Sequence, residues 1–505
     1  MTQKDLIQYH KWDKKEYLKL FKSINENFGL KSIQFYMPFY SLYFYIHNKP
    51  KANLKIDLQR NYYILNIRDK IKERYYNSNT ILLIDVLNSS KNRIEEKECF
   101  CKCIPIVDPM HCLNNNYNFV NKTNYHLPSS YNHNTFSKIN DIDNTAYIDV
   151  FCSYLFGNLS HNNILPSFAK YYGSANGIGN YNYDISEEYH DIKDYKSFNE
   201  TIEKGFDLEI YVSDSDSDSD SDSESEIEDI IRSPMSILSN SSSNSSSKKS
   251  SNKSSNSSSK SDYNYINDDY IAKIKNIPLQ YLFIERLEGT LEDLLDDDIS
   301  EELLISCMFQ ISFSLTYLQK HYLFTHNDLH INNIMYENTD KEYLYYKYNN
   351  IYYKVPTYGK IFKIIDFGRA IFKYKNKVFM NDVFSKYGEA GGQYTYNPQV
   401  KYMQNNNKEY IKPNYNFDLC RLSMTILDEL NKHNYSDNIL DFLIKLCINE
   451  EKDINFLEMN DDFKLYISIA KNACNSLPRV IIQHDIFKKY RIKKKLFPRK
   501  SFYSI

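Results

Sequence analysis

The chain has 505 residues and a net charge of −3, from 62 Lys+Arg against 65 Asp+Glu. Apolar residues make up 42%, enough for a sizeable core, so a fully disordered or collagen-like chain is excluded. Length allows about three domains, and 47 tyrosines beside 12 glycines and one tryptophan are a bias of the kind an AT-rich genome produces.

The first thirty residues are charged throughout and read as a polar helical extension, with no signal-peptide pattern. The apolar stretch from Phe35 to Ile46 is too short and too tyrosine-rich to span a bilayer. "YYILNI" and "ILLIDVL" read as strands, "NSSKNRIEEK" as a polar turn region, and "CFCKCIPI" as a further strand broken at Pro105. Cys99, Cys101 and Cys103 alternate and so share one face of that strand, a packing pattern more than a zinc site. Nine cysteines in a long chain give no disulfide framework, and the protein reads as soluble, intracellular and cytoplasmic. Residues 113–140 are Asn-rich and read as loop. A helix begins near Asn144, with Ile148, Cys152, Leu155 and Leu159 as its apolar stripe.

Residues 214–229 carry nine acids, so the rest of the chain is basic on balance. The surrounding tract, 213–262, has too little apolar surface to offset its ordering entropy and reads as a disordered insertion. Its Ser-acid alternation suits either acid-directed phosphorylation or a solubilising spacer. Beyond it, "PLQYLFIERLEG" reads as a strand turning at Gly289. A helix follows from Ser300, with Glu301 and Glu302 in the first turn, where the helix dipole favours acids. Its stripe is Leu304, Met308, Ile311, Leu315 and Leu318. The polar loop "THNDLHINN", the strand "IMY", a Tyr-rich hairpin over 338–360 and the buried strand "IFKIIDFG" come next. From Asp418 another helix buries Leu419, Leu422, Ile426 and Leu430. Residues 488–500 hold eight Lys/Arg, read as a solvated tail, with contact to an anionic surface as the alternative.

Two segments carry chemistry: "HNDLHINN", His326 to Asn333, and Asp366-Phe367-Gly368 in "IIDFG". Phosphoryl transfer needs a divalent metal to neutralise phosphate charge and a carboxylate to orient the incoming hydroxyl. Asp328 fits the orienting role, Asn333 and Asp366 supply the hard oxygens Mg²⁺ prefers, and Gly368 permits a sharp turn beside the metal.

These segments resemble the H-x-D-x-x-x-x-N catalytic loop and the D-F-G loop of the protein-kinase fold. With "FTHNDLHINNIMY", "KVPTYGKIFKIIDFGRAIF" and "NFDLCRLSMTILDEL", the chain is similar to the kinase-like proteins of giant DNA viruses over roughly residues 95–490, without the insertion. The resemblance implies an α+β, two-lobed kinase-like fold. Its parts are an extension (1–30), a small β-rich N-lobe (31–212 and 263–288) interrupted by the insertion (213–262), a mainly helical C-lobe (289–487) and a basic tail (488–505). It implies ATP and Mg²⁺ as cofactors and proteins as substrates, with no specific nucleic acid and no membrane span. Asp328 becomes the catalytic Asp, with His330 beside it, and Asn333 and Asp366 the metal ligands. Lys102 becomes the lysine that pairs the α/β-phosphates, and Asp149 the acid that pairs with it, where kinases use Glu. Ile284 becomes the gatekeeper, with the backbone of Glu285 and Leu287 on adenine. Asp418 resembles the buried anchor of the catalytic loop; as a residue pattern alone it also reads as a plain N-cap.

The departures from the family pattern are specific. No glycine lies between Gly29 and Gly157, so no Gly-rich loop precedes Lys102. Phe100 stands where a small residue faces adenine, His330 replaces a lysine, and Asn327 replaces the arginine that reads an activation-loop phosphate. The A-P-E motif has only "YNPQ", Tyr396 to Gln399, in its place, and Ser385, Tyr394 and Thr395 are the hydroxyls of the activation segment. The implied function is a serine/threonine protein kinase. A pseudokinase scaffold, suggested by the missing glycines and Phe100, and a small-molecule phosphotransferase, whose loop "HNDLH" also resembles, are the alternatives.

Overall fold

The computed structural model describes residues 9–11, 13–35, 56–73, 78–117, 127, 137–211, 269–375, 377–384, 390–394, 413–459 and 462–505. The expected insertion at 213–262, Ser385, Thr395 and the segment Tyr396 to Gln399 lie outside the described residues.

Helix α1, Lys14–Phe28, starts on a capping box: the Asp13 side chain accepts from the backbone of the first turn, and Glu16 accepts from the Asp13 N–H. It ends at Gly29, whose φ of +64° closes the last turn. The expectation of a polar extension is corrected here. Tyr17, Leu20 and Ile24 recur at helical spacing among the lysines and are buried, and Ser23 exchanges hydrogen bonds with the backbone of Ile67. The helix is part of the core.

It packs on a sheet of seven antiparallel strands: β1 (Lys31–Phe35), β2 (Tyr62–Glu73), β3 (Thr80–Asn88), β4 (Arg93–Pro105), β5 (Tyr171–Asp184), β6 (Phe206–Tyr211) and β7 (Asp269–Glu285). The order is β1-β5-β7-β4-β3-β2, with β6 also paired to β7. The polar stretch after Asn88 is turn only to Asn92; from Arg93 it is strand, paired Asn88 to Arg93, and its charges line the exposed end of the hairpin. Along β4 successive side chains take opposite faces. Cys99, Cys101 and Cys103 are buried on one, and Tyr281, opposite Cys103 in register, meets the ring of Phe28 from α1 at 4.8 Å. Burial pushes the Cys103 thiol up to about 12, so it packs as a small apolar group. Phe100 and Lys102 take the other face, towards helix α2, Thr145–His161. Every residue of α2 from Ala146 to Leu159 is buried, wider than the stripe its periodicity marks. A Cβ at Gly157 would stand 2.9 Å from the Ala169 carbonyl oxygen, so the bare backbone lets α2 approach the start of β5.

After β7 the chain mixes helices with short strands. Helix α3, Glu301–Tyr322, is capped by Ser300 and buried on nearly all sides. Strands β8 (Ile334–Asn338) and β11 (Lys360–Ile364) pair with Ile334 opposite Ile364. That register sets the segment His326 to Asn333 beside Asp366-Phe367-Gly368, and the Ile365 N–H donates to the Asn333 carbonyl at 3.1 Å. The Tyr-rich stretch forms the hairpin β9 (Tyr343–Tyr348) and β10 (Ile351–Pro356). Helices α4 (Phe417–Glu429) and α5 (Asp462–Asn472) follow. The basic end is not a solvated tail. Strand β12 (Arg491–Ile492) pairs with β10, and β13 (Tyr503–Ser504) pairs with β9. Aromatic residues among the lysines dock it: Tyr490 meets Phe309 at 5.9 Å and Tyr503 meets Tyr346 at 5.3 Å. Among the described residues, no helix is long and apolar enough to cross a membrane.

Candidate functional site

Lys102 stands between two carboxylates from distant parts of the chain. Its Nζ lies 2.8 Å from Asp149 Oδ2 on α2 and 3.0 Å from Asp366 Oδ1 beyond β11. The second oxygen of Asp149 accepts from the Phe367 N–H at 3.0 Å. One short acid thus grips both the lysine and the loop that carries Asp366. Burial disfavours the Asp149 charge and raises its pKa against the pull of Lys102. Asp366 is also opposed by desolvation, yet Lys102 holds it below the ordinary aspartate value. Desolvation works against the Lys102 charge in turn, and the two carboxylates more than offset it, so its pKa is raised. Asp366 sits at φ +58°, a left-handed conformation uncommon outside glycine, and its Oδ1 accepts from the Gly368 N–H at 3.4 Å.

The loop His326 to Asn333 is held from below. Asp418, fully buried, accepts from the His326 N–H at 2.9 and 3.1 Å and from the Asn327 N–H at 2.9 Å. The N-cap of α4 is Asn416, so Asp418 is inside the first turn and acts as an anchor for the loop. The His326 ring joins the Ile365 carbonyl at 2.8 Å, a second tie between the two motif segments. Asn327 is a neutral junction: its Nδ2 donates to Thr325 Oγ1 and to the Arg369 carbonyl, and its Oδ1 accepts from the Tyr394 hydroxyl at 2.7 Å. Asn333 uses Nδ2 on both the Asp328 carbonyl, at 2.8 Å, and His330 Nε2, at 3.0 Å, which leaves Oδ1 as the oxygen a cation could take. Burial lowers the His330 pKa, so it is neutral at pH 7. Asp328 is a quarter exposed; its Oδ1 accepts from the Tyr466 hydroxyl at 2.7 Å and lies 3.5 Å from Arg369 Nη1.

Ile284 lies opposite Phe100 of β4 and Tyr171 of β5, and both Ile284 and Leu287 are buried. Glu285 does more than its backbone promised. Its N–H donates to the Lys170 carbonyl, and its carboxylate pairs with Lys170 and, at 2.8 Å, with Lys363 of β11. Lys363 is 1% exposed and also meets Glu337 at 3.0 Å. Burial opposes the Glu285 charge, but the two lysines hold its pKa down to about 2. Sequence reasoning passed over Lys170 and Lys363. A signal existed for the second: a lysine at a core position of the apolar run "KIFKII" needs a buried partner. A polar cleft of 270 Å³, lined by Tyr62, Lys97, Lys170, Tyr172, Arg286 and Glu285 itself among others, opens beside this network and borders none of Lys102, Asp328, Asn333 or Asp366.

Among the described residues, no group of three or more His, Cys, Asp and Glu gathers as a metal cluster. Asn333 and Asp366 each carry side-chain oxygens of the hard kind that Mg²⁺ prefers.

The chain is therefore a mixed helix-and-strand protein in which a lysine lies between two carboxylates and the segment that carries one of them is tied through Ile365 to an anchored Asp/Asn loop. Over 205 residues it is 30% identical to a protein of Acanthamoeba polyphaga mimivirus named "Putative serine/threonine-protein kinase". The match covers 36% of this chain and 46% of that relative, so the chain spans under half the length of the curated relative it matches. No family model matches. The relationship to giant-virus proteins is kinase-like at this coarse level.

Proposed function

We propose that the protein is an ATP- and Mg²⁺-dependent protein kinase of the serine/threonine type with a two-lobed fold. The observation that carries the reading is Lys102 held between Asp149 and Asp366, next to a loop whose two backbone amides are fixed by Asp418. Lys102 is the cation for the α/β-phosphates, and Asn333 with Asp366 would hold Mg²⁺. The bound nucleotide and metal supply an electrophilic phosphorus with its charge neutralised. Ile284, Glu285 and Leu287 would seat the base. Asp328 orients the acceptor hydroxyl and takes its proton, and neutral His330 keeps Asn333 in place without adding charge. Backbone amides of a Gly-rich loop are missing from the sequence before Lys102, so more of the phosphate contact falls on the lysine.

The test is transfer of labelled γ-phosphate to a protein panel, wild type beside Asp366→Ala, with thermal shift on adding MgATP. The reading expects transfer and a metal-dependent shift in wild type, both lost in the variant. Equal signals from the two proteins, or no shift and no transfer from wild type, overturn it.

A further inference from the structure

A hydroxyl already stands at Asp328. Tyr466 lies on α5, a helix fixed by the buried Leu465 and Ile469 and by Asn414, whose Nδ2 donates to the Ile469 and Ala473 carbonyls. Its ring packs on Phe417, centroids 5.7 Å apart, and its Oη donates to Asp328 Oδ1 at 2.7 Å. Burial and the Asp328 charge raise the phenol pKa, so the hydroxyl keeps its proton at pH 7. Two arginines complete the cluster. Arg421 Nε donates to Tyr466 Oη at 3.3 Å, with its guanidinium 5.2 Å from the ring centroid. The Arg369 guanidinium lies 5.9 Å from the same centroid and 3.5 Å from Asp328. A protonated acceptor on a carboxylate is the arrangement that hydroxyl phosphorylation requires. Two guanidiniums beside one phenol are what a phosphate monoester takes, and more than a neutral tyrosine uses.

We propose that Tyr466 is a phosphorylation site of the chain's own making, filled in cis from the nucleotide at Lys102 and Asp366. This rests on the kinase reading above and names a first acceptor for it, a phenol held on Asp328 in cis and so distinct from the serine and threonine hydroxyls taken in trans. The phenolic oxygen bonds to the γ-phosphorus of a nucleoside triphosphate. The bond from that phosphorus to the β–γ bridging oxygen breaks, a nucleoside diphosphate leaves, and the phenolic proton passes to Asp328. Arg369 and Arg421 pair with the new phosphate, and its repulsion from Asp328 ends the 2.7 Å contact. Asp328 then meets hydroxyls from outside. Before that step the phenol holds the place an outside acceptor needs, so transfer in trans waits on Tyr466.

The full chain is incubated with MgATP across serial dilutions, with casein as outside acceptor, and Tyr466 is followed by site-resolved mass spectrometry. The expected result is phosphate on Tyr466 at a rate independent of chain concentration, none in Asp366→Ala, and a lag in casein transfer that Tyr466→Phe abolishes. Casein transfer with Tyr466 unmodified, or modification that slows with dilution, overturns this proposal and leaves the kinase reading standing. No transfer to either acceptor overturns both. Nitration of the nucleotide-free chain gives a readout without turnover. Tyr466 should react about ten-fold more slowly than Tyr195, the protection that one charge-assisted hydrogen bond gives; Tyr195 is 53% exposed. Equal nitration of the two overturns the proposal.

Discussion

Replacing Glu285 by Gln keeps the shape of the side chain and removes its charge. Glu285 ends β7 and pairs with Lys170 just before β5 and with Lys363 in β11. Its carboxyl sits at about 2 in the folded chain against an ordinary value of 4.5. A depressed acid stabilises the fold fully above the unfolded value, and the stabilisation is lost as pH falls through the folded one. The difference corresponds to about 3 kcal/mol, the same order as removing one partner from a buried ion pair, about 3–5 kcal/mol. Little discount for solvent applies, because Glu285 is 13% exposed and Lys363 1%. Lys363 keeps Glu337, itself 29% exposed, as a partner, which places the expected loss at the lower end. Urea unfolding at pH 7 should show Glu285→Gln lower by about 3 kcal/mol with an unchanged slope, and the gap should shrink by about half near pH 3. A variant within about 0.5 kcal/mol of wild type at pH 7 refutes the reasoning, because the charge network would then contribute no more than an exposed pair.

Asp418→Ala strips the acceptor from two buried backbone donors, His326 and Asn327, and should cost about 2–4 kcal/mol in urea unfolding. Asp149→Ala leaves Lys102 with Asp366 alone and frees the Phe367 N–H; about 2 kcal/mol of lost charge-assisted bonding corresponds to roughly 30-fold slower MgATP-dependent transfer, measured as kcat/KM for ATP. Gly177→Ala drives a Cβ into the fully buried Leu30 side chain and should lower stability by about 1–3 kcal/mol, read as a depressed Tm.

The parts of the fold that were legible are those set by local pattern. The capped helix from Ser300, the alternating cysteines of β4 and the Tyr-rich hairpin each declare themselves within a dozen residues. The segments His326 to Asn333 and Asp366 to Gly368 stood out in the sequence too, because each motif's spacing is fixed along the chain. Their meeting was not written locally; it depends on the β8–β11 register, Ile334 opposite Ile364. Helix α1 and the basic end were misread for one reason. In both, apolar residues needed for packing are scattered among lysines, and average polarity hides a stripe that only a partner surface makes visible. Asp149 was legible as the partner of Lys102, but not how an acid one methylene short of Glu could serve. Its second oxygen takes the Phe367 N–H, so α2 is drawn to the D-F-G loop as well as to β4.

The charge network at Glu285 was the least legible feature, because its members lie at the end of β7, before β5, in β8 and in β11, and no one segment holds two of them. Its position gives it a consequence for the site. Lys363 precedes Asp366 by three residues, so the strand that delivers the candidate metal ligand is pinned through one buried ammonium to Glu285, which follows Ile284 and stands two residues before Leu287. The candidate base-binding edge and the candidate cation ligand are therefore tied to one another through this ion pair. A pocket assembled in advance loses less ordering entropy when its ligand arrives. On the kinase reading proposed above, that rigidity would stand in for the phosphate contacts that a chain without glycines between Gly29 and Lys102 does not draw from its backbone.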